Sequence, residues 1–162
     1  MNRSTDATSS SAIRVADESP DQPDVRRLIE ELDAYQQSLY PAESNHLLDL
    51  SSLLQPNGRF AVARSERGEA LGCAAVVLMD GFAEIKRMFV SPRARGGGIG
   101  RHLLAHVEEQ ALAGGRRVLR LETGIHQPEA LGLYERAGYA RRGPYEGYAD
   151  DPLSVFMEKV VA

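Results

Sequence analysis

The segment RARGGGIGRHLL, from Arg93 to Leu104, limits what this chain can fold into more than any other stretch of its sequence. It lies between an apolar run that ends at Val90 and a helical pattern that starts at Ile99. Glycine has no Cβ, so its backbone N–H groups can turn toward a ligand, and a helix N-terminus adds unpaired donors and a partial positive charge. A strand, a glycine loop and a helix in this order favour a phosphate site, although a flexible turn without a ligand would carry the same glycines.

Two well-known phosphate-binding loops do not match the spacing of these glycines. A P-loop requires Lys and then Ser or Thr after its last glycine, but Gly100 is followed by Arg101 and His102. A dinucleotide-binding loop requires a third glycine three positions after Gly100, where the sequence has Leu103. The loop therefore predicts a phosphate-bearing ligand of another class.

Charge is distributed unevenly along the chain. The net charge of the whole sequence is −4, yet residues 1–85 carry 7 basic and 14 acidic residues, whereas residues 86–162 carry 12 and 9. Five basic residues and no acidic one lie between Lys86 and Arg101. An acidic chain with one local positive patch indicates a small anionic ligand at the glycine loop and argues against nucleic acid as a partner.

The hydrophobic pattern predicts one α/β domain over residues 12–162, after a Ser- and Thr-rich tail of residues 1–11 that we expect to be disordered. Helices are expected from Pro23 to about Leu39, from Ser44 or Asn45 to Pro56, from the glycine loop to Gly114, and from Pro128 to Gly138. Strands are expected at Ala12–Asp17, three times in an antiparallel meander from Arg59 to Val90, at RRVLRLET, and twice near the end of the chain. The order β-α-α-β-β-β-α-β-α-β-β is typical of an α/β domain with a mixed sheet.

The one cysteine, Cys73, lies in the apolar run EALGCAAVVLMD. We expect it to be a core residue in a reducing compartment, because no neighbouring residue would activate a catalytic thiol. No stretch approaches 18 apolar residues, and residues 1–17 lack the apolar centre of a signal peptide. These features predict a cytoplasmic protein that does not enter a membrane.

A third type of phosphate loop does fit the sequence. Residues Arg95 to Gly100 match the pattern Arg/Gln-x-x-Gly-x-Gly/Ala, which resembles the acyl-CoA pyrophosphate loop of the GNAT N-acetyltransferase superfamily. The resemblance covers roughly Arg59 to Lys159 and includes LRLETG and QPEALGLYERAGY after the loop helix. The segments YPAESNHLLDL and DDPLSVFMEK are similar to those of one bacterial subfamily. The resemblance implies a mostly antiparallel sheet of about seven strands flanked by about four helices.

The resemblance also implies acetyl-CoA as co-substrate and direct transfer of its acetyl group to a primary amine, with a small molecule as the expected acceptor. In such folds the strand before the loop separates from its parallel neighbour, and the pantetheine arm pairs with the exposed backbone of Met88, Phe89 and Val90. The pyrophosphate would lie on backbone N–H groups of the loop, with three arginine side chains nearby. The implied loop residues are Arg93, Arg95, Gly96, Gly97, Gly98, Ile99, Gly100 and Arg101.

Two residues are the implied catalytic groups. The resemblance places Tyr134 at the position of the tyrosine acid that protonates the departing thiolate. Without the resemblance, its place on an apolar helix face with Ala130 favours a core residue. Glu84 occupies a position where some members carry the general base. Alternation along its strand would place Phe82, Glu84, Lys86 and Met88 on one face, so an ion pair between Glu84 and Lys86 is an equal alternative.

The acceptor amine is expected between the first two helices and the last hairpin. Tyr40, Glu43, Ser44, His46 and Tyr148 are the candidates, and helix capping by Ser44 is the alternative there. His102 and His106 have the spacing of metal ligands, but no further ligand is evident, so no metal site is expected.

A non-catalytic acyl-CoA-binding module is the rival function, since it would keep the loop without needing Tyr134 or Glu84. The sequence leaves the identity of the acceptor and a homodimeric state open.

Overall fold

The computed structural model of the protein describes residues 13–41 and 50–161. Seven strands form one sheet in the order β1-β2-β3-β4-β5-β7-β6, in which only β4 and β5 are parallel. The strands are β1 (Arg14–Asp17), β2 (Gly58–Arg64), β3 (Ala70–Leu78), β4 (Ala83–Val90), β5 (Val118–Gly124), β6 (Ala140–Arg142) and β7 (Ser154–Val160). The helices are α1 (Pro23–Leu39), α2 (Leu50–Leu53), α3 (Ile99–Ala113) and α4 (Pro128–Arg136), with a 3₁₀ turn at Pro92–Ala94. The predicted α/β fold with a mostly antiparallel sheet is confirmed.

Helix α1 covers one face of the sheet. Pro23 starts it, because a proline fits the first turn, where its missing N–H is not needed. Val25, Leu28, Ile29 and Leu32 form its buried stripe and pack on Phe60, Val62, Cys73 and Phe89 of the sheet. The helix ends at Leu39, and the Tyr40 N–H still bonds the carbonyl of Gln36. This end of α1 lies close to the start of α4.

Helix α3 covers the opposite face of the sheet. Its buried residues recur at the helical period, and Leu103, Leu104 and Val107 are at most 1% exposed. They pack on the faces of β3, β4 and β5 that carry Val76, Ile85 and Leu121. Gly98, at φ 81°, precedes the first turn, and Gly115, at φ 80°, follows the last. The buried stripe therefore fixes α3, and with it the end of the glycine loop, against the sheet.

Strands β4 and β5 separate halfway along their length. The parallel pairing of β4 with β5 covers residues 83–85 and 119–121. Among the described residues, no β4–β5 pair follows Ile85. A β-bulge in β4 follows. Cys73 of β3 pairs with Phe89 and Ala75 pairs with Lys86, so two residues of β4 lie opposite the single residue Ala74. The outcome is a V-shaped gap in the sheet just before the glycine loop.

The bulge corrects one expectation from the sequence. Phe82, Glu84 and Lys86 share a face, where they contact Tyr145 or Tyr148, but Met88 does not. Met88 packs with the α3 cluster, because the extra residue in β4 inverts the alternation of side chains after Lys86.

Several predicted segments lie outside the described residues, among them the N-terminal tail and the first half of the second predicted helix. In the described ranges, no helix has both the length and the apolar character that crossing a membrane requires.

Candidate functional site

The glycine loop forms one wall of a cavity of about 660 Å³ between β4 and α4. Gly96 (φ 89°) and Gly98 (φ 81°) adopt the left-handed conformation, which glycine reaches without strain. The predicted ligand-binding residues that line this cavity are Met88, Phe89, Val90, Arg95, Gly96, Gly98, Ile99, Gly100 and Arg101. The structure therefore brings most of the predicted loop residues together around one space.

The cavity has three guanidinium groups in its wall, from Arg95, Arg101 and Arg136. Arg95 donates to the Val90 carbonyl at 3.0 Å and to Glu129 at 3.3 Å, so its side chain connects β4 to α4 across the cavity. Sequence reasoning missed Arg136, which lies on α4 and reaches the cavity only because that helix packs beside the loop. The positive charge and the N-terminus of α3 suit a phosphate-bearing ligand.

Arg93 and Gly97 are not among the described residues that line this cavity. The Arg93 guanidinium instead donates to the Ser91 hydroxyl at 2.8 Å and to the Ala70 carbonyl at 3.4 Å. It lies along a separate surface groove beside α1. Its position suits a structural role in the turn that follows β4, rather than the phosphate contact expected from the sequence.

A second and smaller cavity, of about 70 Å³, lies beside the first where β4 and β5 separate. Lys86 and Glu122 line it as the first residues beyond the last β4–β5 pair. Tyr40 and Tyr134 line it from the two helices. The two cavities have four lining residues in common, Leu32, Met88, Gln127 and Ala130. A ligand could therefore pass from the glycine loop into the gap in the sheet.

Tyr134 lies on α4 and is 5% exposed. Its ring packs edge-on against Tyr139, with 5.9 Å between centroids, and it also lines the small cavity. Within the described residues, no group forms a hydrogen bond with the Tyr134 hydroxyl. Burial, with a smaller effect from the Glu122 charge, raises the pKa of Tyr134 well above its ordinary value. Tyr134 is therefore a protonated phenol with a free donor at the edge of the cavity.

Glu122 is a site residue that sequence reasoning missed. It is partly buried on β5, and its Oε2 accepts a hydrogen bond from the Ser154 hydroxyl at 2.8 Å. Burial raises the pKa of Glu122 to about 7, although the Ser154 hydrogen bond and the charge of Lys86 act against this effect. A carboxyl group with this pKa can exchange a proton near neutral pH, as a general base must.

Glu84 lies beside the small cavity but is not among the described residues that line it. Its Oε2 accepts hydrogen bonds from Tyr145 at 2.8 Å and Tyr148 at 2.6 Å, and Lys86 Nζ is 3.3 Å away. Phe156 packs against both phenol rings. The structure thus shows the Glu84–Lys86 ion pair that was the alternative to catalysis, with Tyr148 hydrogen-bonded to Glu84.

Tyr40 connects the end of α1 to the start of α4. Its hydroxyl accepts from the His126 N–H at 3.0 Å and donates to Gln127 Oε1 at 3.2 Å. Gly124 allows this packing, because a Cβ at that position would overlap the Tyr40 hydroxyl. Tyr40 forms a wall of the small cavity, as an acceptor-binding residue would. The other predicted acceptor residues on this side, Glu43, Ser44 and His46, lie outside the described residues.

Comparison with known proteins decides which family this site belongs to. The model of the acetyltransferase (GNAT) family matches residues 25–139, which include the glycine loop, Glu122 and Tyr134. The chain belongs to the GNAT acetyltransferase family. The sequence prediction of a GNAT acetyltransferase is thereby confirmed.

Two relatives and one structure that shares only the fold illustrate the match. The chain is 53% identical over 149 residues to a protein of Azospirillum brasilense named IAA acetyltransferase, an alignment that covers 91% of this chain and 97% of the relative. A crystal structure from Klebsiella pneumoniae, provisionally assigned as an acyl-CoA N-acyltransferase, is 42% identical with a TM-score of 0.83 and covers 93% of this chain and 98% of its own. A GNAT acetyltransferase from Elizabethkingia anophelis with acetyl-CoA bound shares the fold at 18% identity, with a TM-score of 0.63 and coverage of 93% and 99%.

The chemistry available to this GNAT site depends on which groups are reactive. Cys73 is fully buried, its thiol donates to the Arg87 carbonyl at 3.3 Å, and burial raises its pKa to about 12. A neutral, buried thiol is a poor nucleophile. His106 Nε2 lies 2.7 Å from Asp17, and the ranges that the structure describes hold no group of three or more His, Cys, Asp or Glu side chains suited to a metal. The small cavity instead brings together Tyr134, a protonated phenol, and Glu122, a carboxyl group whose pKa is about 7.

Proposed function

We propose that the protein transfers the acetyl group of acetyl-CoA to a primary amine of a small molecule, by direct attack in a ternary complex. The observation that carries this proposal is the junction of the two cavities. One is lined by the glycine loop and three arginines, and the other by Tyr134 and Glu122. A long anionic co-substrate in the first would deliver its reactive end to the acid and base in the second.

The loop and the charge of the first cavity support acetyl-CoA as its ligand. Left-handed glycines open the loop backbone, and the N-terminus of α3 adds N–H donors for a pyrophosphate. Arg95, Arg101 and Arg136 supply charge for the phosphates. Met88, Phe89 and Val90 lie on the stretch of β4 that has left β5, so their backbone is open toward a pantetheine arm. Acetyl-CoA would supply the acetyl group as an activated thioester.

The second cavity holds the groups that acetyl transfer requires. The amine attacks in its neutral form, and Glu122 accepts the proton that the nitrogen loses as the amide forms. A backbone N–H of β4 beyond the bulge polarises the thioester carbonyl. As the C–N bond forms and the C–S bond breaks, Tyr134 donates its proton to the departing sulfur. Solvent afterwards carries the proton from Glu122 back to the Tyr134 phenolate.

Glu84 is the alternative base, as the family resemblance implied. Its carboxylate already receives two phenol donors and an ammonium group. This arrangement favours a role in holding Lys86 and Tyr148 at the edge of the cavity. We propose two acceptor-binding residues: Tyr40, which lines the small cavity, and Tyr148, which contacts the cavity residue Lys86. Glu43, Ser44 and His46 are further candidates.

The test is release of free CoA by the purified protein with acetyl-CoA and a panel of primary amines. A separate reaction replaces the amines with IAA, which the name of the Azospirillum relative contains. Amine-dependent CoA release above the rate without amine is the expected result. Tight acetyl-CoA binding without release for any amine would instead indicate the acyl-CoA-binding module.

A further inference from the structure

Arg87 has an unusual backbone conformation next to the proposed site. Among the described residues it is the one non-glycine with a positive φ, 56°. A residue with a Cβ pays an energetic cost in this left-handed region, and such residues persist only where their surroundings hold them in place. Arg87 also lies at the bulge of β4, two residues after Ile85, the last residue of β4 that pairs with β5.

The side chain of Arg87 is held under helix α1. It is 5% exposed and forms an ion pair with Asp33 of that helix. Its Nε has no hydrogen-bond partner within the described residues, so the pair with Asp33 carries the compensation for a buried charge. A buried guanidinium without its carboxylate is strongly unfavourable. The ion pair therefore fixes where the Arg87 side chain points.

The bulge determines which way the following residues of β4 face. Beyond it, Met88 and Val90 pack toward α3, whereas Phe89 packs toward α1. If Arg87 took an extended conformation, regular pairing with β3 would shift the register by one residue and exchange these faces. Met88 lines both cavities, so the exchange would alter the junction between them.

We propose that the Arg87–Asp33 ion pair fixes the bulge of β4 and thereby positions the Met88–Val90 backbone for the thioester. Arg87 and Asp33 are then positioning residues that act through β4. This inference rests on the proposed acetyl transfer. Because Asp33 lies on α1 next to Leu32, which lines both cavities, the pair also links the acceptor side of the site to the acetyl-CoA side.

Three variants of Arg87 separate the effect of its ion pair with Asp33 from the effect of its left-handed backbone conformation. R87A loses the ion pair and keeps the strain of a Cβ at φ 56°. R87G loses the ion pair equally but adopts this φ freely, and R87K keeps a charge for Asp33. We expect kcat to fall roughly 100-fold in R87A, since small misplacements of reacting groups have effects of this size. R87G and R87K should each keep at least ten times the kcat of R87A, and D33A should match R87A.

Thermal unfolding of each variant shows whether the loss is merely structural. If R87A and R87G have equal kcat at temperatures where both are folded, or if R87A keeps the wild-type kcat, the positioning role is wrong. If the wild type shows no turnover, the proposed function has failed. The inference is then tested by the φ of residue 87 in crystals of R87A and R87G. Loss of the bulge in R87A alone supports it, and an unchanged bulge in R87A overturns it.

Discussion

Tyr134 shows how one side chain can suit two roles. Its ring belongs to the core, and its hydroxyl is a free donor at the cavity. We expect Y134F to lower kcat roughly 100-fold, because a positioned general acid contributes 10²- to 10⁴-fold. The acetyl-CoA dissociation constant should stay near the wild-type value, since the ring still packs. Steady-state CoA release and calorimetric titration with acetyl-CoA measure the two effects.

Tyr139 offers a matched control for this variant. It is 4% exposed and in ring contact with Tyr134, but its hydroxyl donates to Glu108 at 2.8 Å and not toward the cavity. Y139F also removes a buried hydroxyl and should leave kcat within about twofold of wild type. Equal losses in the two variants would mean that Tyr134 acts only as a packing residue.

Glu122 predicts the pH dependence of the reaction. With a pKa raised to about 7 by burial, its carboxyl is protonated and unable to act as a base at pH 5.5 and ionised at pH 8.5. The wild-type kcat/KM should therefore rise with pH through about 7. E122Q should lose this rise and lower kcat/KM roughly 100-fold at pH 8. Initial rates between pH 5.5 and 9 measure both effects.

Glu84 on β4 provides the control for Glu122 on β5, because both glutamates lie close to the gap between these strands. E84Q removes the other candidate base and leaves Glu122 in place. We expect E84Q to keep the rise in kcat/KM near pH 7. If E84Q loses this rise and E122Q keeps it, Glu84 is the base and the assignment to Glu122 is wrong.

The family resemblance of the sequence predicts Tyr134 as a site residue, but the sequence has no signal for Glu122. Leu119 and Leu121 mark the buried face of β5, so Glu122 reads as a charge on the opposite, solvent-facing side. Ser154, beyond the next helix and strand, approaches that side and helps to enclose it. A pKa raised by burial depends on such long-range packing, which local sequence patterns do not contain.

At the scale of loops and helices, the conformation of the glycine loop predicts how a substitution there changes acetyl-CoA affinity. Gly96 lies at φ 89°, and no atom outside its neighbours lies within 4 Å of where its Cβ would be. In G96A the strain of a left-handed alanine would move the loop backbone. We expect the acetyl-CoA dissociation constant to increase at least tenfold, measured by calorimetric titration.

Gly115 is the matched control, since it stands at the other end of α3 with φ 80° and equally open surroundings. G115A carries the same backbone strain, so both variants should lose roughly 1–2 kcal/mol of stability. Only G96A should weaken acetyl-CoA. Equal affinities in G96A and G115A would show that the loop conformation does not hold the ligand.

Helix ends were predictable in this chain, whereas the irregularity in β4 was not. Pro23 and Pro128 start α1 and α4, because proline suits the first helical turn. Gly114 and Gly115 follow α3, because glycine reaches the left-handed conformation that often ends a helix. The bulge depends on a left-handed arginine, a residue type with no such preference. The expected face of Met88 was therefore wrong, and the shape of the gap came only from the structure.

For the molecule as a whole, Glu122 connects activity with stability. Its pKa in the folded protein, about 7, lies above the ordinary value of 4.5, so the folded state binds more protons between these values. The contribution of Glu122 to stability is present below pH 4.5 and is lost as the pH rises toward 7. The glutamine of E122Q does not ionise, so this variant does not lose stability in this way as the pH rises. It should unfold at a higher temperature than wild type at pH 8, with little difference near pH 4.5. Calorimetric scans at both values check this, and a lower unfolding temperature for E122Q at pH 8 would mean that the ionised carboxylate stabilises the fold.

Ligand binding should also change the stability of the whole domain, and this test needs no knowledge of the acceptor. A ligand at 100 times its dissociation constant stabilises the folded state by about 2.7 kcal/mol, which raises the unfolding temperature by roughly 5–10 °C for a domain of this size. We expect this shift with acetyl-CoA and none with NADH, because the loop spacing does not match a dinucleotide site. ATP serves as a second control for nonspecific phosphate binding to Arg95, Arg101 and Arg136. An equal shift with ATP would mean that the cavity binds phosphates in general, and the pantetheine contacts proposed along β4 would then lose their support.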